Sequence, residues 1–320
     1  QWALAKIEAA AGWDKSTSND VIVAVIDTGI DFNHPDLRDN LWTGPQGEHG
    51  YSARNGIVTV GGMDDHMHGT HVAGIIGAVG NNNVGVVGVN WKTKLLSLKF
   101  LNAAGGGSTR DAVLAIEKII ELKQAGHNIR VSNNSWGAAT ASDAALEAAF
   151  NEAQANGILN VCSAGNNGFD IDVFGFIPAG IPLDGIISVL ASDANDLKAN
   201  FSNFGTIGTD LLAPGVGVIS CIPNDNYLGL SGTSMASPHV AGACAMVFGL
   251  NPALTPDQVR TILLQPESYD RTSFTVNTTG GGRLNLRKLW NNPEIGTPGP
   301  PNHPPTLTVN TTTNFLPVPI

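Results

Sequence analysis

Gly232-Thr-Ser234-Met-Ala-Ser-Pro-His239-Val-Ala-Gly242, followed by the apolar run Ala243-Cys-Ala-Met-Val-Phe-Gly-Leu250, decides how this sequence is read. A small Gly-Thr entry, then Ser234, then residues suited only to a packed interior predict a serine at the first turn of a buried helix. Free N–H groups and the positive end of the helix dipole gather there, so negative charge developing on a substrate oxygen is favoured. Pro238 falls early enough in the helix, on this reading, to cost no interior hydrogen bond. The same residues also suit a plain cap on a core helix. Catalysis therefore needs partners elsewhere in the chain.

The first partner lies far upstream. Val21-Ile-Val-Ala-Val-Ile26 is apolar at every position and ends in Asp27-Thr-Gly29. Such a strand is buried on both faces, as central parallel strands are, which puts Asp27 at a carboxyl edge where α/β sheets form sites. Asp64-Asp-His-Met-His68-Gly-Thr-His71-Val-Ala-Gly74 reads as a loop passing into a buried helix. Strands are predicted at Leu95 to Leu101, Val131 to Asn134, Ile158 to Cys162, Ile186 to Leu190 and Leu211 to Ala213. Helices are predicted at Arg110 to Ala125, Ser142 to Asn156 and from a Thr255-Pro256 cap through Leu264. This alternation implies an α/β fold: a three-layer, mostly parallel twisted sheet flanked by helices on both faces.

The domain is expected to span 1–293. Residues 294–320 open with Gly296-Thr-Pro-Gly-Pro-Pro-Asn-His-Pro-Pro305, a linker of polyproline character. Thr306 to Ile320 reads either as the first strand of a downstream β-sandwich or as a tail. The net charge of −10, without a Lys/Arg cluster, argues against a nucleic-acid or anionic-membrane partner. No apolar run reaches the roughly eighteen residues of a membrane span. The N-terminus lacks a charged start followed by an apolar stretch, so any signal or pro-segment is expected to have been removed or to lie outside this sequence. Three cysteines, Cys162, Cys221 and Cys244, make an odd number without metal-site spacing. They read as small buried hydrophobes, with one bridged pair left open.

A serine hydroxyl needs a base, the base needs an orienting group, and the tetrahedral intermediate needs donors. His68 titrates where it can take and return a proton, and Asp27 can hold its other ring nitrogen. Asn166, in Ser163-Ala-Gly165-Asn166-Asn-Gly168, offers an amide to an oxyanion beside the Ser234 N–H. Together, Asp27-Thr-Gly, His68-Gly-Thr-His-Val-Ala-Gly, Ser135-Trp-Gly, Ala164-Gly-Asn166 and the Ser234 stretch resemble the subtilisin-like serine endopeptidases. They stand in that family's chain order from about Trp2 to Trp290.

The resemblance implies more, residue by residue. Asp27, His68 and Ser234 would form the triad and Asn166 the oxyanion hole. Ser135, Trp136 and Gly137, with Ala164 and Gly165, look like the two walls of the S1 cleft. Gly105, Gly106 and Gly107 resemble the edge strand that lines S4. Asn167 stands where many relatives carry Glu at the S1 floor, which favours large apolar or aromatic P1 residues over basic ones. Ile177-Pro178 resembles the family's cis-proline turn, and Asp64 reads as a loop charge, with a place beside S2 as the alternative. Structural Ca²⁺ is implied at Asp36, Val79, Asn82, Val84 and Val86. Around Gly80 this loop has an extra residue, and the N-terminal arm that adds a ligand in the family begins late. A pro-segment in the precursor, secretion, a monomeric state and polypeptide substrates complete the picture. His34, His66, His71 and His239 are assigned structural or solvent-facing places. The alternatives are a narrow-specificity processing or peptide-ligating enzyme of the same fold, and an inactive scaffold. The scaffold would ordinarily lack one of the four catalytic groups.

Overall fold

Strand β1 (Ser18–Asp27) divides the interior in two. Val21, Val23 and Val25 join one hydrophobic cluster, while Ile22, Ala24 and Ile26 join another. A strand sends alternate side chains to opposite faces, so a run apolar at every position must be covered on both. The computed structural model describes residues 1–274, 278 and 281–296. Past Gly296, the proposed linker and downstream module lie outside the described residues.

After β1 come β2 (Gly50–Arg54), β3 (Ile57–Val60), β4 (Lys92–Lys99), β5 (Ile129–Asn134) and β6 (Leu159–Ser163). β7 (Ile186–Ser192), β8 (Leu211–Pro214), β9 (Val218–Ile222), β10 (Asn226–Leu230), β11 (Tyr269–Arg271) and β12 (Gly282–Leu284) follow. Ten of them form one sheet in the order β11-β12-β8-β7-β6-β5-β1-β4-β2-β3, and β9 and β10 form a separate hairpin. Pairing in the large sheet is parallel except at its two margins, β2 with β3 and β11 with β12.

Helices α1 (Trp2–Lys6) and α2 (Ala9–Trp13) open the chain. α3 (His68–Gly77) and α7 (Thr233–Leu250) cover the valine face of β1. α4 (Thr109–Gln124) and α5 (Ala144–Ala155) cover the other face. α6 (Ile171–Phe174), α8 (Pro256–Leu264) and α9 (Leu286–Trp290) complete the set. Thr255 closes a capping box with Gln258 at the start of α8, as the Thr-Pro signal requires. This is the three-layer α/β architecture the sequence predicts.

β1 has β4 on one side and β5 on the other. The chain reaches β4 by way of α3 on one face, and β5 by way of α4 on the opposite face. The carboxyl end of β1 is therefore a topological switch point, where the loops diverge and leave a crevice. Asp27 is its last residue. The strand expected at Leu95 to Leu101 stops at Lys99, because the N–H groups of Phe100 and Leu101 both turn back to the Asp27 carbonyl. All three cysteines are buried and unbridged.

Candidate active site

His68 opens α3, and its Nδ1 lies 2.8 and 3.0 Å from the two carboxylate oxygens of Asp27. A carboxylate only accepts, so Nδ1 carries the proton and Nε2 presents a lone pair. Asp27 is wholly buried, while the His68 side chain keeps 19% of its surface exposed. The approach depends on Gly69: a Cβ there would lie 2.1 Å from the Gly29 carbonyl oxygen. Behind the pair, Asp64 accepts from the Thr28 hydroxyl, the His66 N–H and both the N–H and hydroxyl of Thr70. Thr28 in turn accepts from the Gly69 N–H. Asp64 is thus a buried brace that locks the start of α3 to the end of β1, where the sequence had suggested a charge beside S2.

Burial alone would lower the His68 pKa, but the charge and hydrogen bond of Asp27, helped by the charge of Asp64, raise it above the usual imidazole value. The other two histidines on these helices behave differently. His71 donates from Nε2 to the Leu228 carbonyl, and His239 from Nδ1 to that of Met235. Burial lowers them to about 3 and about 4, which keeps both neutral at ordinary pH.

Ser234 is the second residue of α7, partly exposed in a helix that is otherwise buried through Phe248. Its hydroxyl donates to the Ser135 carbonyl at 3.1 Å. Pro238 does cost an interior hydrogen bond, contrary to what its place in the sequence predicts. It lies inside α7 and lacks the N–H that would serve the Ser234 carbonyl one turn back. The Ser135 hydroxyl supplies that bond instead, at 2.9 Å.

Asn166 lies beyond the end of β6, and its Oδ1 accepts from both the N–H and the hydroxyl of Thr233, at 2.9 and 3.0 Å. Because the Thr233 N–H can only donate, the amide oxygen must face it. That leaves Nδ2 turned away toward the mouth of the site. Thr233 also accepts from the Gly165 N–H, so one threonine fixes both the wall and the amide. Nothing in the local sequence around Thr233 signals this role, because its partners lie 67 and 68 residues away.

A cleft of about 320 Å³ is lined by Ser234, Asn166 and Phe176. Trp136, Gly137, Ala139, Ser163, Gly165 and Asn167 complete its lining, and no charged side chain is among these residues. Two predicted wall residues sit behind it: Ala164 is wholly buried and Ser135 nearly so. Phe176 and Ala139 were not foreseen. A Cβ on Gly137 would fall 2.3 Å from the Phe176 ring, and one on Gly165 2.6 Å from it. Two glycines thus leave the width of one aromatic ring, a fit invisible without the fold.

Residues 18–286 match the model of the Subtilase family. The chain belongs to that family. Subtilisin Savinase of Lederbergia lenta is 38% identical over 290 residues, 89% of this chain and 96% of its own length. Subtilisin E of Bacillus subtilis strain 168 is 36% identical over 275 residues, 85% of this chain and 66% of its own length. Alkaline elastase YaB of Bacillus sp. strain YaB is 36% identical over 267 residues, 82% of this chain and 63% of its own length. This subtilase is a serine endopeptidase, and polypeptides are its substrates.

Elsewhere in the subtilase, Gly105 to Gly107 lie in no strand. The segment turns back on Asn102, whose main chain bonds Gly105 and Gly106 and whose side chain accepts from Ala104 and Gly106. The Ile177-Pro178 bond is cis. Asp36, between β1 and β2, is wholly buried and accepts from two residues of the loop after α3, the Asn82 amide at 2.6 Å and the Val86 N–H at 2.8 Å. Val79 donates its N–H to the Asp36 carbonyl, and the Val84 N–H goes to the Asn82 side chain. Gln1 reaches this loop after all, exchanging two hydrogen bonds with the Val87 main chain. Burial raises the Asp36 pKa despite these bonds. Among the described residues, no three His, Cys, Asp or Glu side chains gather as a metal cluster.

Proposed function

We propose that this endopeptidase works through an acyl-enzyme, with Ser234 as nucleophile, His68 as general base and then acid, Asp27 as its orienting carboxylate and Asn166 as oxyanion donor. The observation that carries the reading is the two-pronged bond from His68 to Asp27, which commits the Nδ1 proton and leaves Nε2 basic. For the attack, the Ser234 hydroxyl leaves the Ser135 carbonyl and passes its hydrogen bond to the His68 imidazole. As Oγ attacks the scissile carbonyl carbon, its proton passes to Nε2 and the carbonyl electron pair moves onto oxygen. Asn166 Nδ2 and the Ser234 N–H, free at the helix start, donate to that oxyanion. The imidazolium then protonates the leaving amine as the C–N bond breaks, and water repeats the sequence to release the acid.

The uncharged cleft floored by Phe176 supports large apolar or aromatic P1 residues over basic ones. Faster cleavage after Lys than after Phe or Leu overturns that preference. Labelling by a fluorophosphonate, with Ser234→Ala as the control, tests the nucleophile: wild-type protein labels and the variant does not. Broad digestion of unfolded casein supports a general endopeptidase, whereas reaction with a single peptide only supports a narrow processing enzyme.

The donor set in the Asp36 loop fits a structural Ca²⁺. A buried carboxylate whose hydrogen bonds come from neutral groups lacks a balancing charge, and the carbonyl and amide oxygens around it suit a hard cation. Asp36 and Asn82, with the main-chain carbonyls of Val79, Val84 and Val86, would hold the ion, which would supply that charge. Secretion, a monomeric state and a pro-segment in the precursor belong to the same reading and rest on the family resemblance.

A further inference from the structure

Asn133 lies in β5, paired with β1 on one side and β6 on the other, and is wholly buried. An amide in such a place is costly unless its polar atoms are bonded. Its Oδ1 accepts from the Ser237 hydroxyl and its Nδ2 donates to the Ser135 hydroxyl, both at 2.9 Å. The single proton of Ser135 is committed to the Ser234 carbonyl, which can only accept, so Ser135 must receive from the amide nitrogen. The Ser135 carbonyl meanwhile receives the Ser234 hydroxyl. A closed circuit therefore leaves α7 at Ser237, crosses to β5, and returns to both polar ends of the nucleophilic residue.

Pro238 makes the circuit possible. By lacking the helical donor for the Ser234 carbonyl, it frees that oxygen for a bond running sideways to the sheet instead of along the helix axis. The first turn of α7 is thus held by β5 as well as by its own axial hydrogen bonds.

We propose that Asn133 is a positioning residue for the nucleophile, fixing the roll of α7 about its axis by holding Ser135 and Ser237 at a set separation. This rests on Ser234 being the nucleophile. Asn133→Leu keeps the side-chain size and removes both bonds. The rate of fluorophosphonate labelling and kcat are expected to fall about 10- to 100-fold, the scale of an ångström-sized misplacement, with KM within about twofold of wild type. Ser237→Ala, which cuts the helix-side bond only, gives a smaller fall in the same direction. The double variant is no slower than Asn133→Leu, because both changes break one circuit.

Folded Asn133→Leu protein that labels at the wild-type rate overturns the proposal, as does a lowered melting temperature with kcat unchanged. Should Asn133→Leu fail to fold, a wild-type labelling rate in Ser237→Ala overturns it equally. Ser234→Ala separates the two levels: labelling that survives in it removes the nucleophile reading itself, whereas the Asn133 and Ser237 results bear on positioning alone.

Discussion

Asp27 and Asp36 are both wholly buried carboxylates, and they differ in what faces them. Asp27 faces an imidazole that can become a cation, at 2.8 Å. Asp36 takes its hydrogen bonds from an amide and a backbone N–H, which cannot, and the neighbouring His34 ring acts on it less than either bond. A buried negative charge is tolerable when an opposite charge is at hand. On the proposed mechanism that charge arises at Asp27 during each turnover, so the carboxylate would serve chemistry. At Asp36 the proposed Ca²⁺ would supply it, so the carboxylate would serve the fold.

The largest expected effect separates the two sites directly. Asp27→Asn should lower kcat about 10⁴-fold, the scale typical of serine triads that lose their carboxylate, because the proton on Nδ1 is no longer fixed. A loss under tenfold, measured by steady-state peptide hydrolysis, would show that Asp27 does not orient His68. Next comes Asn166→Ala, for which a fall of about 10²–10³ in kcat is expected with the fold intact. Unchanged turnover there removes the amide from the oxyanion hole.

The pH profile sharpens the contrast further. His68 must be neutral to act as a base, and its pKa is raised, so the acid limb of kcat/KM should inflect above the ordinary imidazole value of about 6.5. Activity then falls about tenfold per unit below that point. Residual activity in Asp27→Asn should inflect at lower pH, since the raising charge is gone; an unmoved limb would assign the shift to another group. The smallest effect is at Asp36. A chelator should lower the melting temperature by about 5 °C if the ion is held near a hundred times its Kd. Asp36→Asn should abolish the response to chelator, and a wild-type protein indifferent to chelator would leave the loop without its cation.

Much of the site was legible because its signals are local. An apolar run of β-branched residues, a Gly-Thr-Ser entry to a small-residue helix and a Thr-Pro cap each act within a few residues, where backbone preference and burial leave few options. The hairpin of β2 and β3 and that of β9 and β10 went unread. Their short strands are partly exposed and carry no clear alternation. The Phe176 side of the cleft went unread for a different reason: Phe176 meets Gly137 and Gly165 only after three separate loops converge.

By itself the sequence determined which groups this protein has for chemistry and at which strand or helix end each one stands, since both follow from side-chain type and hydrophobic period. Tertiary structure decided what each group touches. That Pro238 leaves a carbonyl open, that Ser135 fills it from 99 residues away, and that Thr233 turns the Asn166 amide outward are consequences of long-range packing. No local preference encodes such contacts. They form only when the sheet brings β5, β6 and the start of α7 to one edge.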